Sequence, residues 1–313
     1  MAFPDFNERD GDPQIPPPYS FKDVTIWSFG LEVDDSETIN TLIDEHLNMG
    51  PKNKAKFDYQ WLRWYVAMEV LTYKTMKSQS KLKVERTEFS EMGYCYQNEL
   101  YFRLLVGRYE QGGNGWDHKD TAIFVPYIFV DNNWSVITGR EVIGYPKVWA
   151  KIDTPTPGQD YPITVSTDVF EKYDPGTKQA LRKLVEIDAI DATASAPSDI
   201  SGVMTWPWGE EVNKGFFPRN DSVKERNTVQ LKQFRDAKDG TRACYKALVG
   251  ARFTVTRRDL KPLAPAKITI HPFDSLPIVK KLGLGSGKLT PVWQYKVKCD
   301  LEIDSFYNIL EQH

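Results

Sequence analysis

A strict alternation of apolar and polar residues near the C-terminus constrains the fold of this chain more than any other feature. In the segment VWQYKVKCDLEI, residues 292–303, every second position from Trp293 to Ile303 is apolar or aromatic, and the positions between them are polar. A period of two places alternate side chains on opposite faces of a β-strand. The segment therefore predicts a strand that buries one face and exposes the other.

Further segments share the residue types that favour strands. They are rich in β-branched and aromatic side chains, which suit a pleated and half-buried surface. These segments cover residues 99–109, 122–130, 244–256 and 267–273. Turn-forming residues separate many of the predicted strands, as at Pro157-Gly158. We therefore predict a mainly β protein with few helices.

Two segments show the spacing of amphipathic helices. In the first, Ser36 is the predicted N-cap, and the helix ends before Gly50. The second predicted helix follows Gly176 and covers residues 180–187. The polar stretch from 213 to 240 interrupts the strand pattern and predicts a partly helical excursion. None of these features divides the chain, so we predict one domain over residues 18–313, preceded by a flexible, proline-rich arm over residues 1–17.

The overall charge excludes some classes of partner. Forty Lys and Arg residues against 43 Asp and Glu residues give a net charge of −3, which offers no broad attraction for nucleic acid or an anionic membrane. No run approaches the roughly 18 apolar residues of a membrane-spanning helix, and the polar N-terminus lacks the apolar core of a signal peptide. We expect a soluble, cytoplasmic protein that binds neither nucleic acid nor a membrane.

Several catalytic and metal-binding patterns do not occur in the sequence. The three cysteines form no CxxC pair and the four histidines show no HExxH or HxH spacing, so no metal site is predicted. The glycines of GLGSGK, residues 283–288, lack the spacing of a phosphate-binding loop, and no GxSxG is present. We expect no cofactor, and the candidate catalytic groups are then lysines and carboxylates.

The stretch TGREVIGYPKVWAKI, residues 138–152, contains the most unusual of these groups. Lys147 follows Gly144-Tyr145-Pro146 and has apolar residues on both sides in the sequence. An ammonium placed among apolar groups is disfavoured in its charged form, and the neutral amine is a nucleophile. A lysine on a strand more often extends its ammonium to the surface. The apolar setting alone leaves both interpretations open.

A longer run around Lys147 resembles the signature of the acetoacetate decarboxylase superfamily. The run is FVDNNWSVITGREVIGYPKVWAKI, residues 129–152, and it is supported by PYSF near residue 18 and by ALVGARFTVT and ITIHPFDSLPIVKKLGL in the C-terminal part. The resemblance implies an antiparallel, barrel-like β domain with peripheral helices that assembles as a homo-oligomer. It also implies a lysine that forms a Schiff base with a keto acid, without a cofactor.

The resemblance assigns roles to individual residues. Lys147 falls on the Schiff-base lysine, and Glu99, in YCYQNELYF, falls on a glutamate that opens a strand and serves as a catalytic acid or base. Glu69, in VAMEVLTY, matches another strand glutamate and is a candidate substrate-binding residue. Arg140 and Tyr145 belong to the signature and are also candidate substrate-binding residues, although Arg140 equally fits a structural ion pair with Glu141.

A further candidate comes from the aromatic segment MTWPWGEEV, residues 204–212. Trp206 in this segment is a candidate for the mouth of the substrate pocket, because exposed indoles mark binding surfaces. Core packing explains it equally well.

Two positions depart from the family pattern. Val148 stands where decarboxylases of the family have a second lysine, and Lys22 lies near the place of an arginine that meets the substrate carboxylate. A lysine activated by an apolar pocket or by a neighbouring cation is the mechanism known for acetoacetate decarboxylase itself, so only the apolar route is open here. These departures argue against acetoacetate as the substrate.

The predicted function is that of a carbon–carbon lyase that forms an imine with a keto acid. Decarboxylation of a β-keto acid other than acetoacetate is the leading prediction. A Schiff-base aldolase or dehydratase acting on a 2-oxo acid such as pyruvate is the first alternative, favoured by Val148 and Glu99. A protein that binds a small carbonyl compound without turnover is the second.

Overall fold

The computed structural model describes residues 15–49, 57–84, 86–113, 115–190 and 223–312. Most of these residues lie in strands, as predicted. The strands in chain order are β1 (Tyr19–Glu32), β2 (Phe57–Trp61), β3 (Tyr65–Ser78), β4 (Lys83–Val84), β5 (Thr87–Glu88), β6 (Cys95–Gly112), β7 (Gly115–Val130), β8 (Lys147–Trp149), β9 (Lys151–Asp153), β10 (Ile163–Val169), β11 (Ala180–Ala189), β12 (Val223–Arg235), β13 (Ala243–Pro262), β14 (Ala266–Ile270), β15 (Lys288–Leu289) and β16 (Trp293–Gln312).

Helices are short and lie between the strands. The α-helices are α1 (Ser36–His46), α2 (Asn133–Thr138) and α3 (Ile278–Lys281), with a 3₁₀ turn at Phe89–Glu91 and a π-helical turn at Gly139–Ile143 that continues α2. In the part of the chain that is described, no helix has the length and apolar character needed to cross a membrane.

The large sheet has nine strands in the order β2-β6-β3-β1-β16-β13-β12-β7-β8, and β6 also pairs with β7. The pairing from β6 through β3, β1, β16, β13, β12 and β7 therefore returns to β6. We call these seven strands the strand ring. Its ladders are antiparallel except between β7 and β12, which pair in parallel over two residue pairs. A second, five-stranded sheet has the order β15-β14-β11-β10-β9.

The two faces of the ring strands pack into two separate apolar clusters. The alternation predicted for residues 292–303 is confirmed, because Tyr295, Val297 and Cys299 are each at most 1% exposed and belong to one cluster, which we call the inner cluster. The other cluster includes residues of α1 and of the second sheet. Because successive side chains of a strand point to opposite faces, every second side chain of a ring strand points into the inner cluster.

The predicted helix over residues 180–187 is wrong, because this segment forms β11. It pairs with β10 and β14. The register slips opposite Val165-Ser166, where Val185 and Lys183 are the successive partners and Leu184 is the additional residue of a β-bulge. The bulge buries both Leu184 and Val185, which breaks the period of two and produces a spacing that resembles a helix.

Two other sequence predictions need correction. Residues 223–235 form β12, so the predicted excursion over 213–240 is wrong for this part, and residues 213–222 lie outside the described residues. The N-cap of α1 is Asp35 rather than Ser36, because the Asp35 carboxylate accepts hydrogen bonds from the amides of Glu37 (3.1 Å) and Thr38 (3.3 Å).

The predicted N-terminal arm falls largely outside the described residues, which begin at Ile15. The Ile15 amide donates to the Thr138 hydroxyl at 2.9 Å. The Pro16 carbonyl accepts a hydrogen bond from Ser78 at 2.7 Å. Ile15 and Pro16 therefore contact α2 and β3.

The strand assignment of residues 180–189 can be tested by comparing two truncations. Ile187 is fully buried, whereas Leu181 is 46% exposed. Ile187→Ala is expected to lower the free energy of unfolding by about 2–5 kcal/mol, and Leu181→Ala is expected to change it little. Chemical denaturation measures both. Equal losses of unfolding free energy for the two variants would contradict the strand assignment. The predicted helix would bury both side chains on its apolar face.

Candidate active site

A cavity of about 110 Å³ lies within the strand ring. Alternate residues of the ring strands line it, as Leu71 and Tyr73 of β3 and Leu301 and Ile303 of β16 illustrate. Most of the lining side chains are aliphatic or aromatic. The cavity is therefore an apolar space into which a small number of polar groups project.

Lys147 is the central polar group of this cavity. It is the first residue of β8, which pairs in parallel with β7 so that Lys147 lies beside Ile128. Its side chain is buried, and Nζ donates to Glu99 Oε2 at 3.1 Å and to Ser135 Oγ at 2.8 Å. The lysine thus lies inside the ring and does not extend to the surface.

Local backbone structure explains how Lys147 reaches this position. Asn132 caps α2 by accepting from the amides of Trp134 (3.0 Å) and Ser135 (3.3 Å). The helix then widens into the π-helical turn and ends at Gly144, whose φ of 85° is in the left-handed region that favours glycine. The chain reverses there and enters β8.

Gly139 is required for close passage of the lysine side chain. A Cβ atom on Gly139 would lie 2.8 Å from Cε of Lys147 and closer still to its Cδ. The backbone of Gly139 is right-handed helical, with φ of −61°, so its conformation does not demand glycine. Steric space for Lys147 is what the structure requires at this position.

Glu99 is the carboxylate of the site. It lies on β6 and is 5% exposed. Its oxygens accept hydrogen bonds from Tyr73 OH at 3.1 Å, from Gln97 Nε2 at 2.9 Å and from Lys147 Nζ. Burial, followed by the nearby charge of Glu99, raises the pKa of Tyr73 well above its ordinary value, so Tyr73 remains a neutral donor.

Glu69 occupies a different environment. It is fully buried and forms an ion pair with Arg103 at 2.8 Å. The same carboxylate accepts hydrogen bonds from Ser28, at 2.7 Å, and from Tyr101. Glu69 is not among the described residues that line the Lys147 cavity, whereas Tyr101 is. The structure therefore connects Glu69 to the cavity through the Tyr101 hydroxyl.

The remaining predicted residues are distributed around the site. Tyr145 lines the cavity, and burial raises its pKa to about 12. Arg140 is exposed, donates to the carbonyl of Lys147 at 3.2 Å and borders a separate cavity of about 410 Å³, which Tyr145 also lines. Trp206 lies outside the described residues. Lys22 faces outward and pairs with Glu302 at 3.2 Å, so it does not replace the arginine that meets a substrate carboxylate.

Sequence reasoning missed three polar residues of the site. Ser135 lies within the signature run, three residues before Thr138, and contacts Nζ directly. Tyr73 and Gln97 are register partners on β3 and β6, and both reach Glu99. Gln97 lies two residues before Glu99 on β6, and Tyr73 lies opposite Gln97 on β3, so the place of Tyr73 follows from strand pairing. Pairing partners cannot be read from one sequence.

The arrangement combines an amine, a carboxylate and a hydroxyl in an apolar cavity. Lys147 is the sole cationic side chain among the described residues that line it. The described residues contain no group of three or more His, Cys, Asp or Glu side chains that could hold a metal ion. The described site thus holds a lysine amine and a carboxylate in direct contact.

Known structures with a similar fold include three enzymes. Acetoacetate decarboxylase from Legionella pneumophila subsp. pneumophila str. Philadelphia 1 aligns with a TM-score of 0.60 and 15% identity, covering 99% of this chain and 93% of that one. An acetoacetate decarboxylase-like enzyme from Sphingomonas wittichii RW1 aligns with a TM-score of 0.54 and 13% identity, covering 94% and 92%. The enduracididine biosynthesis enzyme MppR, complexed with pyruvate, aligns with a TM-score of 0.52 and 15% identity, covering 94% and 91%.

Identities this low show a shared fold and no more. No curated protein sequence matches the chain. The family model for acetoacetate decarboxylase, however, matches residues 4–171, more than half of the 313 residues, including the whole signature run around Lys147. The chain therefore belongs to the acetoacetate decarboxylase family.

Proposed function

We propose that this chain is a carbon–carbon lyase that decarboxylates a β-keto acid through an imine on Lys147. The contact between Lys147 Nζ and Glu99 Oε2, at 3.1 Å inside an apolar cavity, is the observation that supports it most strongly. An ammonium must lose a proton before it can attack a carbonyl carbon. Passing that proton to Glu99 gives a neutral amine and a carboxylic acid without moving net charge into the cavity.

The reaction then follows from the chemistry of the imine. The amine attacks the ketone to give a carbinolamine, which loses water to form a protonated imine. The electron pair of the bond to the carboxylate flows into this cation as CO2 leaves, and an enamine remains. The proton that Glu99 accepted leaves with the water, so Glu99 takes up one proton from solvent and delivers it to the enamine carbon. Addition of water releases the ketone and restores Lys147.

The other side chains of the site have supporting roles in this scheme. Ser135, at 2.8 Å from Nζ, directs the amine and is placed to hydrogen-bond the carbinolamine hydroxyl. Tyr73 and Gln97 hold the Glu99 carboxylate from two sides. Fixed donors of this kind keep a catalytic acid or base in one orientation.

A second function is favoured by the same carboxylate. In an aldolase or dehydratase, Glu99 would remove a proton from the carbon next to the imine, and the contact with Lys147 places it near that carbon. The similar fold of MppR, which has been solved with pyruvate, supports a 2-oxo acid as the substrate of this second function. Release of CO2 and formation or cleavage of other carbon–carbon bonds separate the two functions.

Imine formation is the first test. Incubation with acetoacetate or pyruvate and borohydride is expected to leave a covalent adduct on Lys147, located by peptide mass spectrometry. Lys147→Arg, which keeps the charge but provides no nucleophilic amine, is expected to give no adduct. If the unsubstituted protein yields no adduct with any keto acid, the imine mechanism is excluded.

Glu99→Gln tests the proton transfer separately from the imine. The amide keeps the size of the side chain but cannot accept the proton, so turnover is expected to fall by roughly 10²-fold or more. Borohydride trapping is expected to persist, because removal of the neighbouring negative charge favours the neutral amine of a buried lysine over its ammonium. Glu110→Gln, on the same strand but in a surface ion pair with Arg108, is the matched control. Unchanged turnover in Glu99→Gln would contradict the proposed role.

Gly139→Ala tests whether space for the lysine side chain is essential. The added methyl group would overlap Lys147, so trapping is expected to be lost or strongly slowed, and the free energy of unfolding is expected to fall. In the background of Lys147→Ala the same substitution is expected to cost little, because its steric partner is absent. Equal destabilisation in both backgrounds, measured by chemical denaturation, would show that the added methyl group clashes with atoms other than those of the Lys147 side chain.

A further inference from the structure

The two charged groups of the Lys147 cavity lie on one side of the strand ring. Glu99 and Gln97 belong to β6, and Lys147 and Ser135 belong to β8 and α2, which adjoin β7. In the ring order, β3 and β1 separate β6 from β16 in one direction, and β7, β12 and β13 separate them in the other. Strand β16 therefore lies across the cavity from the catalytic side.

The opposite side of the cavity is apolar. Leu301 and Ile303 of β16, Phe253 of β13 and Phe21 of β1 line it. Tyr19 contributes a hydroxyl on this side, but that hydroxyl donates to the carbonyl of Ile15 at 2.5 Å. A substrate that extends from Lys147 toward β16 contacts apolar side chains, so burial of a hydrocarbon chain there stabilises the complex.

The size of the cavity limits how much hydrocarbon it holds. At about 10–15 Å³ for each group the size of a water molecule, a volume of about 110 Å³ holds at most roughly seven to eleven such groups. The reacting portion of a β-keto acid, the ketone, the methylene and the carboxylate, takes about six of these places by its formula. At most roughly one to five carbon atoms beyond the ketone then fit, and the one-carbon case is acetoacetate itself.

The charge distribution agrees with an apolar product. Lys147 is the single cation among the described residues lining the cavity, and imine formation uses its nitrogen. The carboxylate of a bound substrate then faces no cation among these residues other than the protonated imine, and a charge held in an apolar space is unfavourable. Conversion of the carboxylate to neutral CO2 removes that charge.

We infer that the substrates are β-keto acids with an unbranched hydrocarbon chain of roughly two to five carbons beyond the ketone. This inference rests on the proposed imine at Lys147 and specifies the substrate class of that site. The bond that breaks joins the carboxylate to the carbon between the two functional groups. The products are CO2 and a methyl ketone whose chain lies against β13 and β16.

A series of methyl ketones tests the inference without requiring decarboxylation. Acetone, 2-pentanone, 2-heptanone and 2-undecanone are each titrated with borohydride, and the adduct on Lys147 is measured by mass spectrometry. The concentration for half-maximal trapping is expected to fall about fourfold per added methylene up to 2-heptanone, with no further gain for 2-undecanone. The inference is overturned if the ketone concentration for half-maximal trapping stays constant or rises from acetone to the longer ketones. It is also overturned if that concentration falls further from 2-heptanone to 2-undecanone.

This experiment distinguishes failure of the inference from failure of the proposed function. If no ketone in the series forms an adduct on Lys147, the imine mechanism itself is wrong. If acetone forms an adduct as readily as 2-heptanone, the imine mechanism is supported and the inferred hydrocarbon chain of the substrate is wrong.

Two substitutions in the cavity wall are expected to shift the preference in opposite directions. Val125→Phe adds volume on β7, where Val125 lines the cavity, and is expected to weaken trapping of 2-heptanone at least tenfold more than that of acetone. Phe253→Ala enlarges the side toward β16 and is expected to move the optimum toward 2-undecanone. Leu105→Phe, in a residue that packs on the inner cluster but is not among those lining the cavity, is expected to leave the optimum unchanged.

Because the two shifts are opposite, loss of folding cannot explain both. Each variant is compared by its thermal unfolding and by its trapping of acetone, which fits in every cavity. Parallel changes for all ketones in both cavity variants would overturn the inference.

Discussion

The structure depends on one buried interaction, the contact between the Lys147 ammonium and the Glu99 carboxylate inside the strand ring. Removing two charges from water carries a large desolvation cost, and attraction between them offsets it only when further hydrogen bonds satisfy both groups. Tyr73 and Gln97 supply those bonds to Glu99, and Ser135 supplies one to Lys147. The ring provides the rigid, apolar setting in which these few contacts are fixed.

A second buried ion pair differs from the pair of Lys147 and Glu99 in the chemistry of its cation. Glu69 is bound by Arg103, Ser28 and Tyr101, and its partner is a guanidinium, which stays protonated in proteins. That pair can hold strands together but cannot supply a nucleophile. A lysine ammonium, unlike a guanidinium, can lose its proton and become a nucleophile, which is the step that we propose for Lys147. The choice of lysine over arginine therefore distinguishes the pair that we propose to be reactive from the pair between Glu69 and Arg103.

The sequence predicted the strands well where alternation was regular and failed where it was broken. Residues 293–303 follow the period of two and form a strand, whereas the bulge at Leu184 disturbs that period and β11 was misread as a helix. The sequence predicts an apolar environment for Lys147, but not all of its apolar neighbours in the chain contribute to that environment. Its neighbour Val148 packs on the other cluster and Trp149 is partly exposed.

The side chains that enclose Lys147 come from strands distant in the sequence. Lys147 and Glu99 are 48 residues apart, and only the pairing of β6 with β7 and of β7 with β8 brings them together. The family resemblance could assign both residues from local motifs. It could not supply Tyr73 or Gln97, whose roles depend on register, or the apolar wall formed by β13 and β16.

That wall also bears on which reaction an enamine at Lys147 would serve. Dehydration expels a hydroxide equivalent and needs an acid at that leaving group, whereas aldol cleavage needs a base that takes the proton of the substrate hydroxyl. Among the described residues, the side across from Lys147 presents aliphatic and aromatic groups together with a Tyr19 hydroxyl that is already hydrogen-bonded. Loss of CO2 needs no proton at the leaving group and is favoured by an apolar surrounding. The apolar surfaces from which we infer a hydrocarbon chain on the substrate therefore also support the proposed decarboxylation over the other routes from the enamine.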